Sequence, residues 1–104
     1  MARQRRAVTI VLIDAENVRR SQWPNLSRDE LVERAQAWAE REGHDVRVVF
    51  EGKTTADDEI VRLVHELDGD IWVATSDRGL RERIGDHPTR VIGGGAFLRE
   101  LLNR

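Results

Sequence analysis

Val8 to Ile13 reads VTIVLI, a nearly unbroken run of β-branched and aliphatic residues that ends on Asp14. A strand with one face in water alternates apolar and polar residues. An unbroken apolar run predicts a strand covered on both faces, as in a parallel sheet between two layers of helices. Three further segments repeat the pattern: Val46–Phe50 (VRVVF), Ile71–Ala74 or Thr75 (IWVAT), and Arg90–Ile92. Arg47 inside the second marks it as nearer a sheet edge.

Helical segments separate and follow these strands. Ser27-Arg-Asp-Glu30 is a capping-box pattern that opens a helix through about Glu42, with Leu31, Ala35, Trp38 and Ala39 facing the core and Gly43 ending it. A second helix runs from Thr55 or Ala56 to Leu67, burying Ile60, Leu63, Val64 and Leu67, and Asp68-Gly69-Asp70 breaks it. Arg78–Ile84 predicts a short helix. Gly93–Gly95 reads as a tight turn before a closing helix, Ala96–Leu102, that buries Phe97 and Leu101. Arg19–Ser27, with Trp23-Pro24-Asn25, reads as a loop, and Glu51–Thr55 as a short crossing. Four alternations with right-handed crossovers predict a three-layer α/β fold, its mainly parallel sheet of about four strands flanked by helices.

At 104 residues the chain is expected to form one domain over 1–104, with residues 1–6 flexible. The basic start followed by an apolar stretch resembles a secretion signal, but Asp14 interrupts it before a cleavage site. No apolar run is long enough to span a membrane. Zero cysteines exclude disulfides, thiolate zinc sites and cysteine nucleophiles, and fit a reducing, cytoplasmic setting.

In a parallel α/β sheet, ligands sit beyond the carboxyl ends of the strands. Asp14 follows the first strand, Asp77 the third, and Asp57 and Asp58 open a helix whose amino end lies at the same edge. Carboxylates gathered there repel one another, and a hard divalent ion relieves that repulsion. One or two Mg²⁺ or Mn²⁺ ions would polarise a phosphodiester and activate an attacking water. Asp14, Asp58 and Asp77 are therefore the expected catalytic core, with Asp57 a further metal ligand. Each of Asp58 and Asp77 has a competing role as a helix cap. Glu51, after the second strand, is a candidate outer carboxylate, and Glu16 could face the same cleft but is expected to face solvent.

Candidate substrate contacts are Asn17, Thr75, Ser76, Arg78, Arg19 and Trp23. Asn17 could hold the Asp14 carboxylate, touch a phosphate or brace a turn, and Ser76 could cap the following helix. Arg78 adjoins Asp77, whereas Arg81 and Arg83 read as solvated helix residues. Trp23, in a polar loop, could stack an unpaired base or pack down over the first helix. The triple glycine lacks GxGxxG spacing and an adjacent GK[ST], which argues against a nucleotide cofactor. His44, His65 and His87 are not spaced as a ligand set. Seventeen basic against nineteen acidic residues give a net charge of −2, so no global positive field announces a polyanionic partner.

Ile13-Asp14-Ala15-Glu16-Asn17-Val18, then Thr55-Ala56-Asp57-Asp58-Glu59-Ile60, then Val73-Ala74-Thr75-Ser76-Asp77-Arg78-Gly79-Leu80, and finally Val91–Phe97 together resemble the NYN domain. The resemblance is to the YacP-like branch within the PIN-like nuclease superfamily, and it covers almost the whole chain. It implies a metal-dependent endoribonuclease with its acidic site at the carboxyl end of a parallel sheet. It places the first motif's Asp on Asp14 and its Asn on Asn17, the paired acids on Asp57 and Asp58, and the last acid on Asp77. RNA is the implied partner, with a homodimer or a larger RNA-processing assembly open. Ala15 stands where the family pattern has glycine, and the Phe50–Thr55 stretch is shorter than in relatives. Two other readings are therefore carried forward: a non-catalytic RNA-binding module and a metal-dependent phosphatase.

Overall fold

The computed structural model describes residues 8–103; the expected flexible start at 1–6 lies outside them. Four strands, β1 (Ile10–Asp14), β2 (Asp45–Val49), β3 (Ile71–Ala74) and β4 (Arg90–Ile92), form one parallel sheet in the order β2-β1-β3-β4. The helices are α1 (Ala15–Arg19), α2 (Arg28–Glu42), α3 (Ala56–Glu66), α4 (Arg78–Ile84) and α5 (Gly94–Leu102). The expected three-layer α/β fold is what forms. Among the described residues no helix is long and apolar enough to cross a membrane.

The strand alternation sorts side chains to two cores. Val11, Ile13 and Ala74 face one, which α1, α2 and α5 cover with Val18, Leu31, Ala35, Trp38, Phe97 and Leu101. Leu12, Ile71 and Val73 face the other, covered by Ile60, Leu63 and Val64 of α3 and by Leu80 and Ile84 of α4. Val11, Leu12 and Ile13 are wholly buried, as the unbroken apolar run requires. β2 lies at an edge, as Arg47 suggests.

The capping box forms as predicted: Ser27 Oγ accepts from Glu30 N at 3.1 Å, and Gly43 closes α2 in the left-handed conformation (φ 76°). Some boundaries move. β1 starts at Ile10 rather than Val8, which is 53% exposed, and extends to include Asp14, while β2 runs over Asp45–Val49 and leaves Phe50 outside. The Asp14 motif continues into the five-residue helix α1, and α5 starts at Gly94, inside the expected glycine turn. Short helices of one turn carry too little apolar periodicity to be visible in sequence.

Candidate active site at the carboxyl edge of the sheet

The chain leaves β1 toward β2 on one side, while β3 pairs on the other, so the switch in strand order falls between β1 and β3. Asp14 ends β1, and Thr75 follows β3, each one step past the Ile13–Ala74 pair. By strand parity both side chains lie on the Leu12 and Val73 side, where α3 and α4 begin. Asp14 and Thr75 are the two buried polar or charged residues among those described.

Thr75 Oγ1 donates to Asp14 Oδ2 at 2.7 Å and accepts from Asp77 N at 3.0 Å. The hydroxyl takes the Asp77 N–H on a lone pair and gives its single proton to the Asp14 carboxylate, which as an anion only accepts. Burial raises the Asp14 pKa; the Thr75 bond opposes this, and Asp57, Asp77 and Glu51 push it up further. Burial also raises the Asp57 pKa, aided first by Asp77.

Asp14, Asp57, Asp77 and Glu51 line a cleft of about 420 Å³, together with Glu16, Asn17, Arg20 and Ser21. A larger hollow of about 620 Å³ against α5, lined by Arg99, Glu100 and Asn103, gathers no such set of carboxylates. Asp77 Oδ1 accepts from Leu80 N at 3.0 Å and caps α4, so its capping role and its place in the cleft coexist. No donor among the described residues bonds its other oxygen.

Asp58, expected in the catalytic core, is not brought to this cleft. Its carboxylate accepts from Arg83 Nη2 at 2.9 Å, and its side chain is 57% exposed. Asp57 takes the inward position because it stands three residues before Ile60 and seven before Val64, on the buried stripe of α3. Asp58 is turned a further 100° round the helix. That spacing was the available signal. The cap of α3 is Thr55, whose hydroxyl accepts from Asp58 N.

Asn17 braces the site. Its Oδ1 accepts from Ser76 N at 2.8 Å, tying the segment after β1 to the segment after β3. Ser76 Oγ in turn accepts from Gly94 N at 2.7 Å. Gly94 has an ordinary φ, but a Cβ there would run into Asn17 Oδ1 and stand 2.9 Å from Ser21 Oγ. Gly94, the middle residue of the triple glycine, thus serves close approach of three segments. Ala15 is wholly buried in α1, and no described non-glycine residue has positive φ, so the methyl group fits.

Arg19, expected near substrate, is instead sealed. It donates to Glu16 and to the Leu26 carbonyl at 2.9 Å, and its side chain is 16% exposed. Glu16, expected in solvent, accepts from Arg19 and Arg28 and pairs with Arg20; Arg19 above all lowers its pKa to about 2. Arg78 and Arg81 line an adjoining cleft of about 410 Å³ with Ser76 and Glu82, and no ion pair among the described residues includes either. Trp23 is 85% exposed rather than packed over α2. Among the described residues, no three His, Asp or Glu side chains are placed together as they stand so as to hold a metal ion.

The model of the YacP-like NYN domain family matches residues 6–103. The crystal structure of a tryptophan-to-leucine mutant of Rae1 (YacP) from Bacillus subtilis is similar, with a TM-score of 0.76 and 25% sequence identity. The match covers 90% of this chain and 74% of that one. No curated protein matches in sequence.

Proposed function

The chain belongs to the YacP-like NYN domain family, and from that premise we propose that it is a metal-dependent ribonuclease acting within RNA chains. The observation that carries this reading is the convergence of Asp14, Asp57, Asp77 and Glu51, from four separate segments, on one cleft at the strand-order switch.

The donor set fits Mg²⁺ or Mn²⁺ in its chemistry: all hard carboxylate oxygens, with Asp14 and Asp57 both raised in pKa by burial and by neighbouring acids. Asp14, Asp57 and Asp77 would hold the ion, with Glu51 beside them. A bound ion of this kind supplies an acidified water and polarises the phosphorus. Thr75 orients the Asp14 carboxylate and favours its charged form against the effect of burial, and Asn17 and Ser76 hold the two motif segments in register. Arg78 and Arg81 offer phosphate contacts on the α4 side, and exposed Trp23 offers a stacking face.

A second reading, an RNA-binding module without turnover, is favoured by the carboxylates not being gathered into a ligand set as they stand. Purified protein with end-labelled single-stranded and hairpin RNA in Mn²⁺, Mg²⁺ or EDTA, beside Asp14→Asn, separates the readings. Cleavage that needs metal and Asp14 supports the ribonuclease. Retention of RNA without cleavage supports the module. Cleavage only of a phosphomonoester supports a phosphatase, and metal-dependent cleavage undiminished in Asp14→Asn overturns the site.

A further inference from the structure

His65 and His87, twenty-two positions apart, stand together with ring centroids 4.1 Å apart and planes tilted by 48°. His65 lies in the last turn of α3, and His87 in the turn between α4 and β4. Both helices start at the acidic cleft with Asp57 and Asp77, run back across the same face of the sheet and bring this pair to the opposite edge.

Each ring has its Nδ1 on a backbone carbonyl: His65 on Val61 O at 2.8 Å and His87 on Ile84 O at 3.2 Å. A carbonyl oxygen only accepts, so Nδ1 carries the proton in both rings. In the neutral rings the bare lone pair is then on Nε2. A ring whose Nδ1–H is fixed on a carbonyl, with Nε2 left to coordinate, is the arrangement of a metal-ligating histidine. Both residues are exposed, so an ion reaches the pair from solvent. The carboxyl ends of α3 and α4 add the negative ends of two helix dipoles.

We propose that His65 and His87 together bind one borderline transition-metal ion through their Nε2 atoms, with Zn²⁺, Cu²⁺ or Ni²⁺ as the class and water completing the coordination. Imidazole nitrogen selects these ions over Mg²⁺ and Mn²⁺, whose preference is for oxygen. The site is separate in place and in ligand chemistry from the acidic cleft. It clips the end of α3 to the turn after α4, and so acts on the two helices that present Asp57 and Asp77. Binding to the folded chain alone raises the melting temperature.

The test is calorimetric titration of the whole chain with Zn²⁺ at neutral pH, together with imidazole ¹⁵N spectra of the unsubstituted protein. Asp14→Asn serves as the background that removes the central carboxylate of the cleft. The expected result is one Zn²⁺ per chain in that background, with affinity lowered at least about tenfold by either His65→Gln or His87→Gln. Both Nε2 resonances shift together in the unsubstituted protein, and Mg²⁺ shifts neither. If either substitution leaves the titration unchanged, or if the two resonances respond at different Zn²⁺ concentrations, the shared site is wrong. The spectra decide even if a substituted chain fails to fold.

Discussion

The Thr75 hydroxyl stands 2.7 Å from Asp14 Oδ2, and through this one bond the segment after β3 fixes the carboxylate that ends β1. The same oxygen receives Asp77 N at 3.0 Å, so a single buried atom sets the positions of two acidic residues. Thr75→Val keeps the shape and removes both bonds. Each buried polar group left unpaired costs about 1–3 kcal/mol, so denaturant unfolding should show a loss in that range or somewhat above it. Because the Thr75 bond lowers the Asp14 pKa, the acid limb of any pH–rate profile should move to higher pH in this variant. Thr75→Ser, which retains the hydroxyl, should restore most of both properties.

Burial above all raises the pKa values of Asp14 and Asp57 from their ordinary values. Between the unfolded and folded pKa the native state binds more protons than the unfolded chain, so stability falls as pH rises through that window. At neutral pH both carboxylates therefore weigh against folding. Asp14→Asn keeps an acceptor for Thr75 and removes the charge, and should raise the melting temperature at pH 7. In a chain this size each kcal/mol relieved corresponds to roughly 4–8 °C. The gain should vanish at acid pH, where the native carboxyl is already protonated. Mg²⁺ should raise the melting temperature of the unsubstituted protein more than that of Asp14→Asn.

Glycine is needed at one position of the triple run and not at its neighbour. A Cβ at Gly94 meets Asn17 Oδ1 and Ser21 Oγ, whereas one at Gly95 finds nothing closer than 3.9 Å. Gly94→Ala must push apart the brace between the two motif segments, and should cost about 1–3 kcal/mol and lower any cleavage activity. Gly95→Ala, in the first turn of α5, should instead stabilise slightly, by less than the about 0.5–1 kcal/mol of a mid-helix glycine. Paired melting curves check both signs at once.

The sequence made the layers legible because burial on two faces leaves a continuous apolar run, and Val11, Leu12 and Ile13 at its end form the wholly buried part of the central strand, while Val8 at its start is exposed. It also placed Asp14 and Asp77, since an acid directly after such a strand has only the carboxyl edge to occupy. Pairing alone did not separate Asp57 from Asp58. That choice depends on helix phase, which the expected burial of Ile60 and Val64 already carried: Asp57, three and seven residues before them, shares their stripe, and Asp58 does not. The fates of Arg19 and Glu16 were less legible still. Arg19 is held by a carbonyl, Leu26 O, in a loop whose path no periodicity encodes. The meeting of His65 and His87 depends on two helices ending side by side, a long-range relationship that spacing along the chain does not carry.

Charge compensation around the cleft is one-sided. Arg19, Arg20 and Arg28 share Glu16, and Arg83 is paired with Asp58, whereas no described ion pair holds Arg78 or Arg81. A polyanion approaching the carboxylates therefore finds free guanidinium groups on the α4 side, in the cleft that Ser76 borders. Each phosphate neutralised on a single strand contributes about 0.7 to the slope of log K against log salt. Arg78→Gln and Arg81→Gln should each reduce that slope by about this amount for single-stranded RNA, measured in EDTA so that binding is read without turnover. Arg83→Gln, whose partner already neutralises it, should change the slope by less. Equal effects from Arg78, Arg81 and Arg83 would show that the RNA does not favour this side.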